Sequence, residues 1–174
     1  MMAFEIACGQ YVVGWTDGLP SIYDRLRAHA RLVDEIALEE RGLCCVTVRR
    51  VGEPWPFLVV AQSREPAGAS LGVGALIAGD TLFVGAGERV LVYDLLAPRR
   101  VAEDGADTGF HGWEQHGDVI LMAAELELAA WDARGSKLWS MFVEPPWSYT
   151  VRGEQLDVDV MGAVRMFELL RGPA

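Results

Sequence analysis

The chain has 174 residues, with 15 Lys plus Arg against 25 Asp plus Glu, and a formal net charge of −10. Hydrophobic residues make up 51%, and 19 Gly and 8 Pro follow no period. That mixture excludes a disordered, low-complexity or fibrous chain. The acidic balance argues against nucleic-acid binding, which wants a basic face.

One domain over 1–174 is expected, since a chain of this size can bury roughly 70% of the surface its unfolded form exposes. No apolar run approaches the ~20 residues of a membrane span, so no membrane partner is expected. The opening MMAFEIACGQ carries an acid and no base, unlike a secretory signal. Cys8 is isolated, and Cys44 and Cys45 are adjacent. Neighbours on a strand point to opposite faces, so a bridge between those two is not expected. Three free thiols fit a cytoplasmic protein. The charge is uneven: residues 101–174 hold 5 bases and 13 acids, a net −8.

Residues 1–42 read as an N-terminal segment. Within it, SIYDRLRAHARLVDEIALEERG begins with Ser21 and ends with Gly42. Ile22, Leu26, Ala30, Val33 and Ala37 recur at helical spacing, which predicts a helix over about 21–40. The alternation of Leu26, Ala28, Ala30 and Leu32 with Arg25, Arg27, His29 and Arg31 is the competing strand signal. Residues 43–79 read as two strands, LCCVTVRRV and PFLVVAQ, split by the turn cluster GEPWP and followed by a loop.

From residue 80 the sequence repeats about every 37 residues. Segments 82–95, 119–133 and 156–170 are each strand, break, strand, aromatic, acid. The acids are Asp94, Asp132 and Glu168, preceded by Tyr93, Trp131 and Phe167. In the second copy, a turn at Ala133–Ser136 pairs Asp132 with Lys137, Ala130 with Trp139 and Leu128 with Met141. The other face pairs Trp131 with Leu138, Ala129 with Ser140 and Glu127 with Phe142. Both faces are then mostly apolar, which belongs in a layered stack rather than a sheet with one wet side. In the third copy, a three-residue turn at Met161–Ala163 would oppose Val160 to Val164 and Val158 to Met166.

DARGSKLW, with Asp132, Gly135 and Trp139, resembles the β-propeller repeats of quinoprotein-like and WD-type proteins. The resemblance covers about residues 80–172. The first copy keeps Asp94 but neither the glycine nor the Trp, and the third runs into FELLRGPA. None of the cofactor-binding residues of quinoprotein enzymes matches a position here, so no cofactor is implied. The fold expected is mainly β: an antiparallel meander of three propeller-like repeats, as a sandwich, barrel or incomplete propeller, with one N-terminal helix.

Several residues could carry chemistry. The polar stretch 103–118 reads as a loop and holds His111, Glu114 and His116, a candidate metal set. Its spacing fits neither a calcium loop nor HExxH. Glu125 and Glu127, two apart, would share a strand face roughly 7 Å apart, which suits acid–base work. The rigid EPPW turn would place Trp147 and Tyr149 firmly, as an aromatic wall beside Glu144 for a ligand or a basic side chain. Trp113, Glu125, Glu127, Glu144 and Trp147 are thus the candidate binding residues.

Two functions follow as expectations. The first is a non-catalytic binding protein, engaging a basic protein partner through its acidic C-terminal half. The second is a small-molecule enzyme or metal-binding protein using the acids and histidines at 107–127, which requires His111, His116, Glu125 and Glu127 to converge. Unpaired repeat edges would also suit a homo-oligomer.

Overall fold

In a computed structural model, residues 3–38, 42–64 and 73–173 are described. They form four sheets and one short helix. The first sheet holds β1 (Ala3–Cys8), β2 (Tyr11–Asp17), β3 (Leu32–Ile36), β4 (Leu43–Arg50) and β5 (Leu58–Ser63), with helix α1 (Tyr23–His29) between β2 and β3. Its spatial order is β1-β2-β4-β5-β3. The second is a meander of β6 (Val73–Ala78), β7 (Thr81–Ala86), β8 (Arg89–Asp94) and β9 (Arg99–Gly105). The third repeats it with β10 (Phe110–His116), β11 (Val119–Ala124), β12 (Glu127–Asp132) and β13 (Lys137–Phe142). The fourth has three strands, β14 (Trp147–Arg152), β15 (Gln155–Val160) and β16 (Ala163–Glu168).

The three sequence repeats are the hairpins β7–β8, β11–β12 and β15–β16. Asp94, Asp132 and Glu168 each end the third strand of their own sheet. The two aspartates do the same local work. Asp94 Oδ1 accepts the N–H groups of Leu96 and Ala97, and Asp132 Oδ1 accepts those of Arg134 and Ser136. Each closes the turn into the fourth strand through its own side chain. Glu168 is too long for that turn and instead meets Arg171 at 3.0 Å.

Apolar side chains on both faces of the strands force the sheets to stack. Val13, Val46, Val60, Leu82, Leu91 and Tyr93 lie in the seam between sheets one and two. Phe83, Val92, Phe110, Ile120 and Trp131 fill the second seam, and Leu121, Leu128, Trp139, Leu156 and Val158 the third. β10 lies against β6 and β7, so the leading strands of sheets two and three run side by side. Among the described residues, no hydrophobic cluster joins sheet four back to sheet one.

Four details differ from the sequence reading. The helix spans Tyr23–His29 rather than 21–40. The strand alternation prevails after Ala30: Leu32 and Ile36 pack into the first seam, and β3 pairs in parallel with β5. The end of that expected helix (39–40) and part of the expected loop (65–72) lie outside the described residues. The strands expected at 43–62 are β4 and β5, and they share the first sheet with β1, β2 and β3.

The stretch 103–118 is not one loop. It is the end of β9, a tight turn and β10, because Phe110 is wholly buried while its polar neighbours face water. In the second copy, a bulge in the β12–β13 pairing between Ala130 and Trp131 sets Trp131 opposite Lys137, so Asp132 does not pair with Lys137. The remaining expected pairs from Ala130–Trp139 to Glu127–Phe142 are present. In the third, the turn has two residues, Met161 and Gly162, both at positive φ (54° and 86°). Val160 therefore opposes Ala163, and the register moves by one residue.

Cys44 and Cys45 face opposite sides of β4, into the first seam and the α1 cluster respectively. Burial pushes both thiols up to about 12. A thiol reagent at pH 8 is therefore expected to label Cys8 alone in the folded protein, and all three cysteines after denaturation. Three fast-reacting thiols in the native state would contradict this packing.

Candidate functional site

The third seam opens at one end into a shallow depression of about 450 Å³, lined by His111, Glu125, Pro145, Pro146, Trp147, Ser148 and Tyr149. Four parts of the chain build it. β10 supplies His111, and the β11–β12 turn supplies Glu125. The link from β13 contributes a cis Pro145–Pro146 bond, and β14 carries Trp147 and Tyr149.

Trp147 and Tyr149 are two apart on a strand, so both rings leave the same face. Their centroids are 6.1 Å apart and their planes 21° from parallel. Each ring is tied to the neighbouring sheet. Trp147 Nε1 donates to the Glu125 carbonyl at 3.1 Å, and Tyr149 Oη donates to Glu114 Oε2 at 2.6 Å. His111 Nε2 meets Glu125 Oε2 at 2.9 Å, and His116 Nε2 lies 3.3 Å from Glu114 Oε1.

These contacts shift two titrations. The hydrogen bond from Tyr149 outweighs partial burial and holds Glu114 below the usual carboxylate range. Burial, then the bond to Glu114, pushes the Tyr149 phenol well above its ordinary value. The Tyr149–Glu114 contact therefore favours the folded state above the ordinary Glu pKa of 4.5. It is lost as pH falls through the lowered folded value. The result is a fixed aromatic pair bordered by two glutamates, an arrangement that attracts a cation.

The candidate residues separate. Glu125 and Trp147 lie in the depression. Glu144 is exposed between β13 and β14 and does not line it. Trp113 packs against the rings of Phe83 and Phe110, at 5.3 and 5.2 Å, so it borders the second seam and does not line this depression.

Glu127 is also elsewhere. It is buried at the far side of sheet three, where Lys137 Nζ bridges Glu127 Oε1 at 2.9 Å and Asp104 Oδ2 at 2.7 Å. The same ammonium lies 5.7 Å from the Trp131 ring. The Glu125–Glu127 pairing fails because Glu125 sits in the β11–β12 turn, where the two-residue face rule does not hold. The convergence of His111, His116, Glu125 and Glu127 that an enzyme reading needs is therefore not formed.

His111 and His116 engage different glutamates, Glu125 and Glu114. Among the described residues, no three His, Cys, Asp or Glu side chains gather as a metal site. Sequence reasoning set Tyr149 beside Trp147 but did not place Glu114 in the binding wall. No local spacing links Glu114 to residues 147–149, so no signal in the sequence pointed to it.

No family model matches this sequence, and no curated protein matches it. Solved structures do. A fragment of HIRA (644–1017) superposes with a TM-score of 0.52 at 10% identity, over 95% of this chain and 49% of that one. BamB from Moraxella catarrhalis superposes with a TM-score of 0.50 at 11% identity, over 97% of this chain and 61% of that one. The chain thus spans half to three-fifths of the length of these neighbours. At such identities the likeness speaks for fold alone. With three meandering sheets stacked in sequence on a mixed first sheet, it makes this chain a propeller-like β protein of four sheets and one helix.

Proposed function

We propose that the protein is a non-catalytic interaction module that engages a basic protein partner, with the Trp147–Tyr149 depression receiving a Lys or Arg side chain. The observation that carries this reading is the stacked ring pair, held to Glu125 and Glu114 by its own polar atoms. Rings fixed in this way lose little freedom when a cation settles on them, so their face is ready for binding.

The charge distribution supports the same reading. Of the five bases after residue 100, Lys137 bridges two acids, and Arg152 and Arg171 each meet one. Acids remain in excess on this half, and they would speed the approach of a positive partner. The reading also takes the protein to be cytoplasmic, on its free thiols.

An Arg-rich nonapeptide is a suitable probe. It is expected to bind more weakly as salt rises, and Trp147→Ala is expected to weaken it by roughly 3- to 30-fold, the worth of a cation on an aromatic face. Binding that ignores both salt and Trp147 would remove the basis of the proposal. Trp147→Phe, which keeps a ring but loses the indole donor to Glu125, should retain most of the affinity.

A further inference from the structure

We propose that the free edge of β16 is a docking site for an extended segment of a partner polypeptide, which joins sheet four as its fourth strand. The proposal rests on the backbone of β16 and stands apart from the Trp147 depression.

The β15–β16 hairpin closes through two residues at positive φ, Met161 and Gly162. In such a hairpin the pair flanking the turn, Val160 with Ala163, exchanges both ladder hydrogen bonds, and every second pair after it does the same. Ala163, Arg165 and Phe167 thus direct their N–H and C=O groups to β15. Val164, Met166 and Glu168 direct theirs outward, to the edge. The Glu168 carbonyl accepts the N–H of Gly172, whereas those of Val164 and Met166 have no backbone partner among the described residues.

The same two residues also carry bare apolar side chains. Val164 is 59% exposed and Met166 67%. The one-residue shift in register puts both on the outer face of sheet four, level with Asp159 and Asp157. A strand laid along this edge would pair the free amides and cover both side chains at once.

Three of the other sheet edges are defended. β9 opens with Arg99 and Arg100 and faces a bulge in its ladder, and β13 opens with Lys137 and faces another. β3 is five residues long and carries Asp34 and Glu35. Charges, bulges and shortness are the usual means of keeping an edge from pairing. β16 has a regular register, no proline and no lysine, and its one exposed cation, Arg165, belongs to the face turned toward sheet three.

Charge selects the occupant. Asp157, Asp159 and Glu168 lie on the outer face beside the edge, and the chain as a whole carries −10. A second copy would bring the same charge, and the two-fold pairing that stacks Val164 on Met166 sets Arg165 against Arg165. A segment alternating apolar residues with Lys or Arg meets Val164, Met166 and the carboxylates without conflict.

The test uses the full chain and an acetylated eight-residue peptide of alternating Lys and Val, read by hydrogen exchange and by a binding titration. Saturating peptide is expected to slow exchange at the amides of Val164, Met166 and Glu168 at least tenfold, with Trp147 and its neighbours unchanged. Met166→Pro, which removes an outward N–H and leaves the β15 ladder intact, should weaken binding at least tenfold. Val164→Lys should do the same, while Leu96→Lys on sheet two, an equal change of charge, should alter it less than twofold. Three outcomes would overturn the proposal. One is protection confined to the Trp147 depression, and another is equal binding by the Met166→Pro variant. The third is edge protection that rises with protein concentration without peptide, which would assign the edge to a second copy.

Discussion

Replacing Phe110 by alanine is expected to cost about 3–5 kcal/mol of folding stability, as for other buried aromatic truncations. Phe110 is fully buried at the start of β10, and its ring lies against Gly85 of β7, Gly74 of β6 and the Trp113 ring. It is thus the plug that joins sheets two and three where their leading strands meet. Gly85 is the matching socket: a Cβ there would overlap the Phe110 ring. Gly85→Ala is therefore expected to cost about 1–3 kcal/mol by overpacking. The two sites should couple, with Gly85→Ala less harmful in a Phe110→Leu background than alone. Thermal melts check this. Phe110→Ala should lower the midpoint by roughly 10 °C for a chain of this length. Additive losses in the double variant would show that ring and glycine do not share one space.

The second large effect is expected at Lys137. Changing it to methionine keeps the volume and removes the charge that joins Asp104 of sheet two to Glu127 of sheet three. Glu127 is left buried and unpaired. Breaking a fully buried pair costs about 3–5 kcal/mol; here about 2 kcal/mol is expected, because the ammonium keeps some contact with water. Adding Glu127→Gln should restore part of the loss, since the stranded charge is then gone. Unfolding in urea measures both, and a Lys137→Met variant as stable as the parent would show the bridge to be idle. Burial alone would lower the Lys137 pKa, but bonds to Asp104 and Glu127 outweigh it and leave the value raised. Its contribution is therefore complete below the ordinary lysine pKa and fades as pH rises through the higher folded value.

Much of the architecture was legible in the sequence, and for a local reason. Asp94 and Asp132 are fixed by turn chemistry, which acts over four residues and leaves the same mark in each copy. The hairpin pairs Leu128–Met141 and Ala130–Trp139 followed from alternation alone. What failed depended on distant partners. Residues after Ala30 leave the helix because β5 offers a parallel ladder and Tyr93 of sheet two donates its hydroxyl to Asp34 at 2.8 Å. No pattern inside 21–40 contains that information. The β10 strand was hidden because its one wet side supplies most of its letters.

The site was half legible. EPPW pointed to Trp147, and the acids at 114 and 125 drew notice for other reasons. Their meeting with the two rings depends on how sheet four settles on sheet three, which the sequence does not spell out locally. Glu127 misled because a buried carboxylate and a catalytic one look alike until its Lys137 partner is seen.

Among the described residues, the seams follow one another without returning to the start. Tyr23 and Leu26 of α1 cover the outer side of sheet one, and Ser148, Thr150, Asp157 and Asp159 line the outer side of sheet four along β14 and β15. Such a row has ends, as a pile of plates does and a wheel does not. Each plate is held by its neighbours only, so the end plates have one grip where the middle ones have two. Loosening would then begin at the three-stranded terminal plate and travel inward, sparing the Phe110 junction until late.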